Sequence, residues 1–173
     1  IKPCAVSGHS LGEYSALVSA GILSYENALK IIKTRSEEMN IAGKIKPGKM
    51  AAIIGATKEQ IDILCNQEQI VVPANYNSDT QTVISGTEKG INIAIEKAKK
   101  MGIKRAIILD VSGAFHSPLM KFARKKLKDV IENTEFNNSK IPIYQNVDPN
   151  PTKNSKKIKS NLINQLENTV KWS

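Results

Sequence analysis

The chain has 173 residues, 40% hydrophobic and 24% charged, which suits one cored domain, or one body with a small insertion. Its net charge of +9 favours acidic partners, yet aromatics make up only 5% and no five Lys/Arg residues run together, which argues against nucleic acid as the ligand. No apolar run approaches the roughly 20 residues that a bilayer span needs, and no signal peptide is visible.

In chain order, Ile1 to Val6 reads as the end of a strand, broken by the turn Ser7-Gly8-His9-Ser10-Leu11-Gly12. Tyr14 to Ala20 is helix-compatible, with Gly21 suited to the C′ position. Ser24 is a good N-cap for a helix over Tyr25 to Met39, with Ala28, Ile31, Ile32, Arg35 and Met39 along one stripe. After a Pro/Gly loop at 44–49, the pattern predicts strand 50–55, helix 58–66, strands 70–76 and 82–85, helix 88–101 and strand 105–110. Two βαβ units in so short a stretch suggest a ferredoxin-like unit set inside a larger body. A loop over 111–117 carries His116. Pro118 then opens a helix to about Ile131, Ile141 to Val147 reads as a buried strand, and Ile158, Leu162, Ile163 and Leu166 mark a last amphipathic helix. Trp172-Ser173 stops just beyond that helical pattern, so the chain reads as cut from something longer at both ends. Cys4 and Cys65 match no metal or redox spacing and fit thiols of a reducing compartment, the cytoplasm or an organellar matrix.

Gly8-His9-Ser10-Leu11-Gly12 fits G-x-S-x-G between a strand and a helix. A serine on such a turn sits in strained backbone, needs small neighbours where it packs closely, and lies at a helix N-terminus whose N–H groups, Leu11's above all, can stabilise an oxyanion. The plain alternative is a glycine-rich turn in which Ser10 only caps the helix. A serine hydroxyl needs a base. His9 adjoins Ser10 and should point away from it, so His116 is the default base. Asp110 and Asp148 are possible orienters of His116, and spacing does not choose between them; a backbone carbonyl is the other option. Arg35 sits on the apolar stripe of its helix. An unpaired buried guanidinium is costly, so it either pairs internally, with Glu13 for example, or receives a substrate carboxylate.

Taken together, these residues resemble malonyl-CoA:acyl carrier protein transacylases, the family that also supplies acyltransferase domains of polyketide and fatty-acid synthases. The resemblance runs through Gly8 to Tyr14, Arg35, Met50 to Gly55, Asn75 to Ser78, Val83 to Gly86, Gly113 to Met120 and Asn146 to Asp148. It implies an α/β fold: an incomplete α/β-hydrolase-like body over 1–48 and 112–173 with a ferredoxin-like subdomain inserted at 49–111. It implies that Ser10 is acylated, that His116 is its base, that Leu11 gives one oxyanion N–H and that Arg35 holds the malonyl carboxylate. His9, Phe115, Asn75 and Asn77 fall in the substrate-binding set, Phe115 being the type associated with malonyl selectivity. The family segments that bring a second oxyanion N–H, and the region near which a backbone carbonyl orients the histidine, are expected to lie outside this sequence.

The resulting expectation is transfer of malonyl from malonyl-CoA to the phosphopantetheine thiol of acyl carrier protein, in fatty-acid biosynthesis, by a cytoplasmic monomer that needs neither cofactor nor metal. Carrier proteins of this pathway are acidic, which fits the positive charge as steering. Lys121, Arg124, Lys125 and Lys128 form one candidate docking face, a solvated helix face being the plainer reading. Two rivals stand beside this one. A serine esterase or thioesterase would pass the acyl group to water, and a non-catalytic module would only bind an acidic carrier.

Overall fold

The computed structural model describes residues 3–173; Ile1 and Lys2, the start of the first expected strand, lie outside the described residues. The elements in order are β1 (Val6–Ser7), α1 (Gly12–Ser19), α2 (Tyr25–Ile45), β2 (Gly48–Ile54), α3 (Lys58–Cys65), β3 (Val71–Ser78), β4 (Gln81–Thr87), α4 (Glu88–Lys100), β5 (Arg105–Leu109), α5 (Lys121–Glu132), β6 (Ile143–Tyr144), α6 (Ser155–Asn164) and β7 (Val170–Lys171). Short 3-10 turns at Pro118–Met120 and Gln165–Glu167 lead into α5 and out of α6. The result is mixed α/β.

The middle of the chain builds a five-stranded sheet in the order β5-β2-β4-β3-β7. Strands β2 to β5 pair antiparallel with their neighbours, and β7 joins β3 in parallel. β2 reads Met-Ala-Ala-Ile-Ile because both its faces are covered. Ala51 and Ile53 join Ile61, Leu64, Ile84, Ile91 and Ala94 beneath α3 and α4. Met50 and Ala52 face the other way, with Ala74 and Val83, toward Leu109, Val111 and Phe115. Thr57 and Thr87 cap α3 and α4 by accepting backbone N–H bonds, from Gln60 and Gly90.

The remainder is helical around a second core. Buried Ala28, Ile31 and Ala42 of α2 share it with Ala123, Leu127 and Ile131 of α5, Ile158 and Leu162 of α6, and Tyr14 and Leu17 of α1. Ser24 caps α2 through the Asn27 N–H, and Gly21 takes φ +71°, as the sequence predicts. Phe115 packs against this core and also against the inner face of the sheet, so it joins the two.

Five elements depart from expectation, each for a local reason. α2 runs on to Ile45, because Ala42 extends the buried stripe and Gly43 stays in the helix, packed so close to the Ser112 carbonyl that a Cβ would not fit. Among the described residues, the expected first strand and the strand 141–147 pair with each other at Val6–Ser7 and Ile143–Tyr144 alone, parallel, as a two-stranded sheet. The expected strand 141–147 loses its partner where β1 turns away at Gly8. Pro118 opens a 3-10 turn, and α5 proper starts at Lys121. β7 was not legible at all: two residues are too few to show an alternation.

Candidate active site

The turn after β1 brings Ser10 out of the sheet at φ +50°, a left-handed conformation uncommon for a residue with a Cβ. Gly8 makes the turn possible, since a Cβ there would run into the backbone of Gly12. Around Gly12 itself nothing described lies within 4 Å of such an atom, so close packing explains the first glycine of the motif and not the second. Leu11 sits at the N-cap of α1, and among the described residues its N–H has no backbone acceptor.

Ser10 Oγ lies 2.8 Å from His116 Nε2, although 106 residues separate them in the chain. His116 is buried and also has a positive φ, +56°. Its Nδ1 lies 3.0 Å from the carbonyl oxygen of Gln165. A carbonyl can only accept, so Nδ1 carries the proton and Nε2 offers its lone pair to the Ser10 hydroxyl. Burial is the main cause that pushes His116 down to about 4, with Arg35 acting in the same direction and the Gln165 carbonyl opposing. The imidazole is therefore neutral near pH 7, as a base must be.

The orienting carbonyl is thus within this chain, contrary to the expectation that it lies outside. Neither Asp110 nor Asp148 fills that place. Asp148 is tied to Lys157 at 2.8 Å and to Asn150, which hold its carboxyl at about 2. Gln165 does two jobs, because its side-chain Nε2 also donates to the Ser10 carbonyl at 3.0 Å.

Arg35 is buried and donates from Nη2 to Ser10 Oγ at 3.0 Å. Internal pairing with Glu13 is not what forms. The Glu13 carboxylate instead accepts from Gln145 Nε2 and from the Asn146 N–H, each at 2.9 Å. Burial raises the Glu13 pKa against those bonds and lowers that of Arg35. Arg35 lies against the Tyr14 ring, 5.8 Å from its centroid, and its Nε is buried without a partner. Among the described residues no carboxylate forms a salt bridge with it, which leaves a buried cation beside the Ser10 hydroxyl.

His9 points away from Ser10, as expected. Its Nε2 bonds Asn77 Oδ1 at 2.9 Å and its ring meets Trp172 edge-on at 5.3 Å. Asn77 in turn donates to Gln81 at 3.0 Å. Asn75 is buried on β3, paired in register with Val83 and Val170. The basic face expected on α5 divides: Arg124 turns inward to Asn164 at 2.9 Å, while Lys121 and Lys125 stay with Lys46 around a groove floored by Pro118, Leu119 and Phe122. Burial pushes the Cys65 thiol up to about 12, so it is inert, and Cys4 is exposed. Among the described residues no helix is long and apolar enough to cross a membrane.

Sequence reasoning missed Gln165 and left Asn146 without a role. The signal for Gln165 was a polar residue in the apolar stretch Leu162 to Leu166, a position where a partner is required.

A family model described as the acyl transferase domain matches residues 1–173. The chain is 44% identical over 176 residues to the malonyl CoA-acyl carrier protein transacylase of Bacillus subtilis, an alignment covering 99% of this chain and 56% of that protein. It is similar to the solved malonyl CoA-acyl carrier protein transacylase of Coxiella burnetii, with a TM-score of 0.95 and 39% identity over 99% of this chain and 55% of the other. It is also similar, at TM-score 0.92 and 40% identity, to a malonyl-transacylase solved in complex with its type II PKS acyl-carrier protein, over 98% of this chain and 56% of that one. The chain therefore spans little more than half the length of these relatives.

Proposed function

The chain belongs to the acyl transferase domain family, and on that premise we propose that it carries the acyl-enzyme chemistry of a malonyl-CoA:acyl carrier protein transacylase. One observation supports this most directly: the 2.8 Å contact between Ser10 Oγ and a His116 Nε2 left free to accept a proton.

The Ser10 oxygen attacks the thioester carbonyl of malonyl-CoA while His116 Nε2 takes the hydroxyl proton. The Leu11 N–H, at the start of α1, steadies the oxyanion. The C–S bond breaks and coenzyme A leaves with the proton from His116. In the second half, His116 takes the proton of the carrier's phosphopantetheine thiol, sulfur attacks the malonyl ester, and the proton returns to Ser10. Arg35 holds the free carboxylate of the malonyl group in both steps. Its buried charge without a carboxylate partner, 3.0 Å from the attacking oxygen, supports that role.

We assign residues 1–48 and 112–173 to an α/β-hydrolase-like body and 49–111 to a ferredoxin-like subdomain. The order β5-β2-β4-β3, with α3 and α4 over one face, supports the second assignment. His9, Asn75, Asn77 and Phe115 are assigned to the walls of the substrate site between the two. The protein acts as a cytoplasmic or organellar-matrix monomer on malonyl-CoA and an acidic carrier.

The test is a chase. The full-length protein is exposed briefly to malonyl-CoA, freed of excess, and given phosphopantetheinylated carrier protein. Malonyl appearing on the carrier thiol supports transfer. Free malonate alone supports the esterase reading, and a carrier that binds without receiving malonyl supports the non-catalytic one.

A further inference from the structure

Where β1 leaves the sheet, its backbone loses a partner strand just as Ser10 adopts its left-handed conformation. The parallel ladder of β1 with β6 stops at Ser7 opposite Tyr144. Asn146, two residues further on, then places its side-chain amide against the turn. Nδ2 donates to the Gly8 carbonyl at 2.7 Å, and Oδ1 accepts the Ser10 N–H at 2.6 Å. A side-chain amide offers an N–H and a C=O together, as a peptide does. Turned over, it would set two donors and two acceptors against each other, so this orientation is fixed by its partners.

Asn146 is itself immobilised. It is 2% exposed; its N–H donates to Glu13 Oε2 at 2.9 Å, and its carbonyl accepts from the Lys171 N–H at 2.8 Å. Glu13, 1% exposed, also accepts from Gln145, whose Oε1 takes a bond from Asn161 at 2.9 Å. A buried carboxylate with no salt bridge among the described residues is costly unless hydrogen bonds offset its lost hydration, as those from Gln145 and Asn146 do. Here they fix the one side chain that grips both ends of the nucleophile turn. The clamp also settles which amide is left for chemistry: Ser10's own N–H is taken, and Leu11's is not.

We propose that Asn146 is the positioning residue of this site, its side-chain amide standing in for a strand peptide and holding Ser10 in its left-handed backbone within reach of His116. The proposal rests on the reading of Ser10 as nucleophile, and a reagent that ignores acyl specificity tests it separately from malonyl transfer. Phenylmethanesulfonyl fluoride forms a bond between the Ser10 oxygen and sulfur, releases fluoride, and sends the hydroxyl proton through His116 to solvent.

In the full-length protein, Asn146→Ala and the isosteric Asn146→Asp are labelled with this reagent, and both the rate constant and the fraction labelled are read by mass spectrometry. Positioning predicts a rate constant lower by about 10- to 100-fold with every folded chain still labelled in the end, and a matching loss in kcat for malonyl transfer with KM little changed. Asn146→Asp keeps an acceptor for the Ser10 N–H but sets a carboxylate oxygen against the Gly8 carbonyl, so it should lose at least as much as Asn146→Ala. A labelled fraction that drops with the folded fraction, at an unchanged rate constant, would overturn the proposal and make Asn146 merely structural. Absence of Ser10 labelling in the parent would sink the nucleophile reading itself.

Discussion

His116 is held in the protonation state that a base needs, and that makes pH the first test at the residue scale. Its proton affinity falls to about 4 mainly through burial, against about 6.5 for an ordinary histidine. The acid limb of kcat/KM should therefore lie near pH 4, with activity level from about pH 5 to about pH 8. A midpoint near 6.5 would mean a solvated imidazole. Stability follows the same group. Below about pH 6.5 the unfolded chain binds a proton that the folded one refuses, so the stabilising contribution is complete above that value and is lost as the pH falls toward 4. Equilibrium unfolding across this range reads it directly. Arg35 carries the second test. Arg35→Ala should cost malonyl transfer about 3–5 kcal/mol, as when one partner of a buried ion pair is lost, and acetyl transfer far less. Comparing the two acyl donors in steady-state kinetics decides it, and equal losses would leave Arg35 a structural residue.

At the scale of the element, the turn that carries Ser10 depends on one close approach. Gly8→Ala puts a methyl group into the Gly12 backbone and should cost about 3 kcal/mol in urea unfolding, at the upper end of overpacking. Gly12→Ala should change stability by less than about 1 kcal/mol, because nothing described crowds that position. Similar costs at both sites would mean that the turn is not set by this contact. This asymmetry was not legible in the sequence, where the two glycines look alike. The long periodic elements were. α2, α4 and α5 carry apolar stripes, and α2 and α4 side-chain caps, that local chemistry dictates, and the strands from Met50 to Leu109 show in their β-branched and alanine runs. The apolar runs around β1 and β6 read as strands, and only their pairing length, two residues each, depends on the neighbour's edge; β7 holds no pattern to read.

The whole molecule explains why the site was half visible. Ser10 and His116 could be picked out because each chemistry-bearing residue stood in a loop beside a strand or helix. Their partners come from distant chain. Gln165 reaches both, through its carbonyl and its side chain, and Asn146 reaches Ser10 and Gly8 across 136 and 138 positions. Such contacts depend on how α6 and the segment after β6 pack, which no spacing rule encodes. The two cores are likewise joined by a few residues, Phe115 between them and the His9–Asn77 bond across them. A site at such a junction is held by the packing of both parts.

The proposed chemistry is an ester between a malonyl group and one hydroxyl, formed with the help of one imidazole. Peptide mapping by tandem mass spectrometry, after seconds of exposure of the full-length protein to malonyl-CoA, measures this at the atom concerned. The predicted result is a malonyl group on the Ser10 peptide, absent in Ser10→Ala and formed at least about 100-fold more slowly in His116→Ala. A malonyl group on another residue, or an unchanged rate without the imidazole, would rule out Ser10 as nucleophile or His116 as its base.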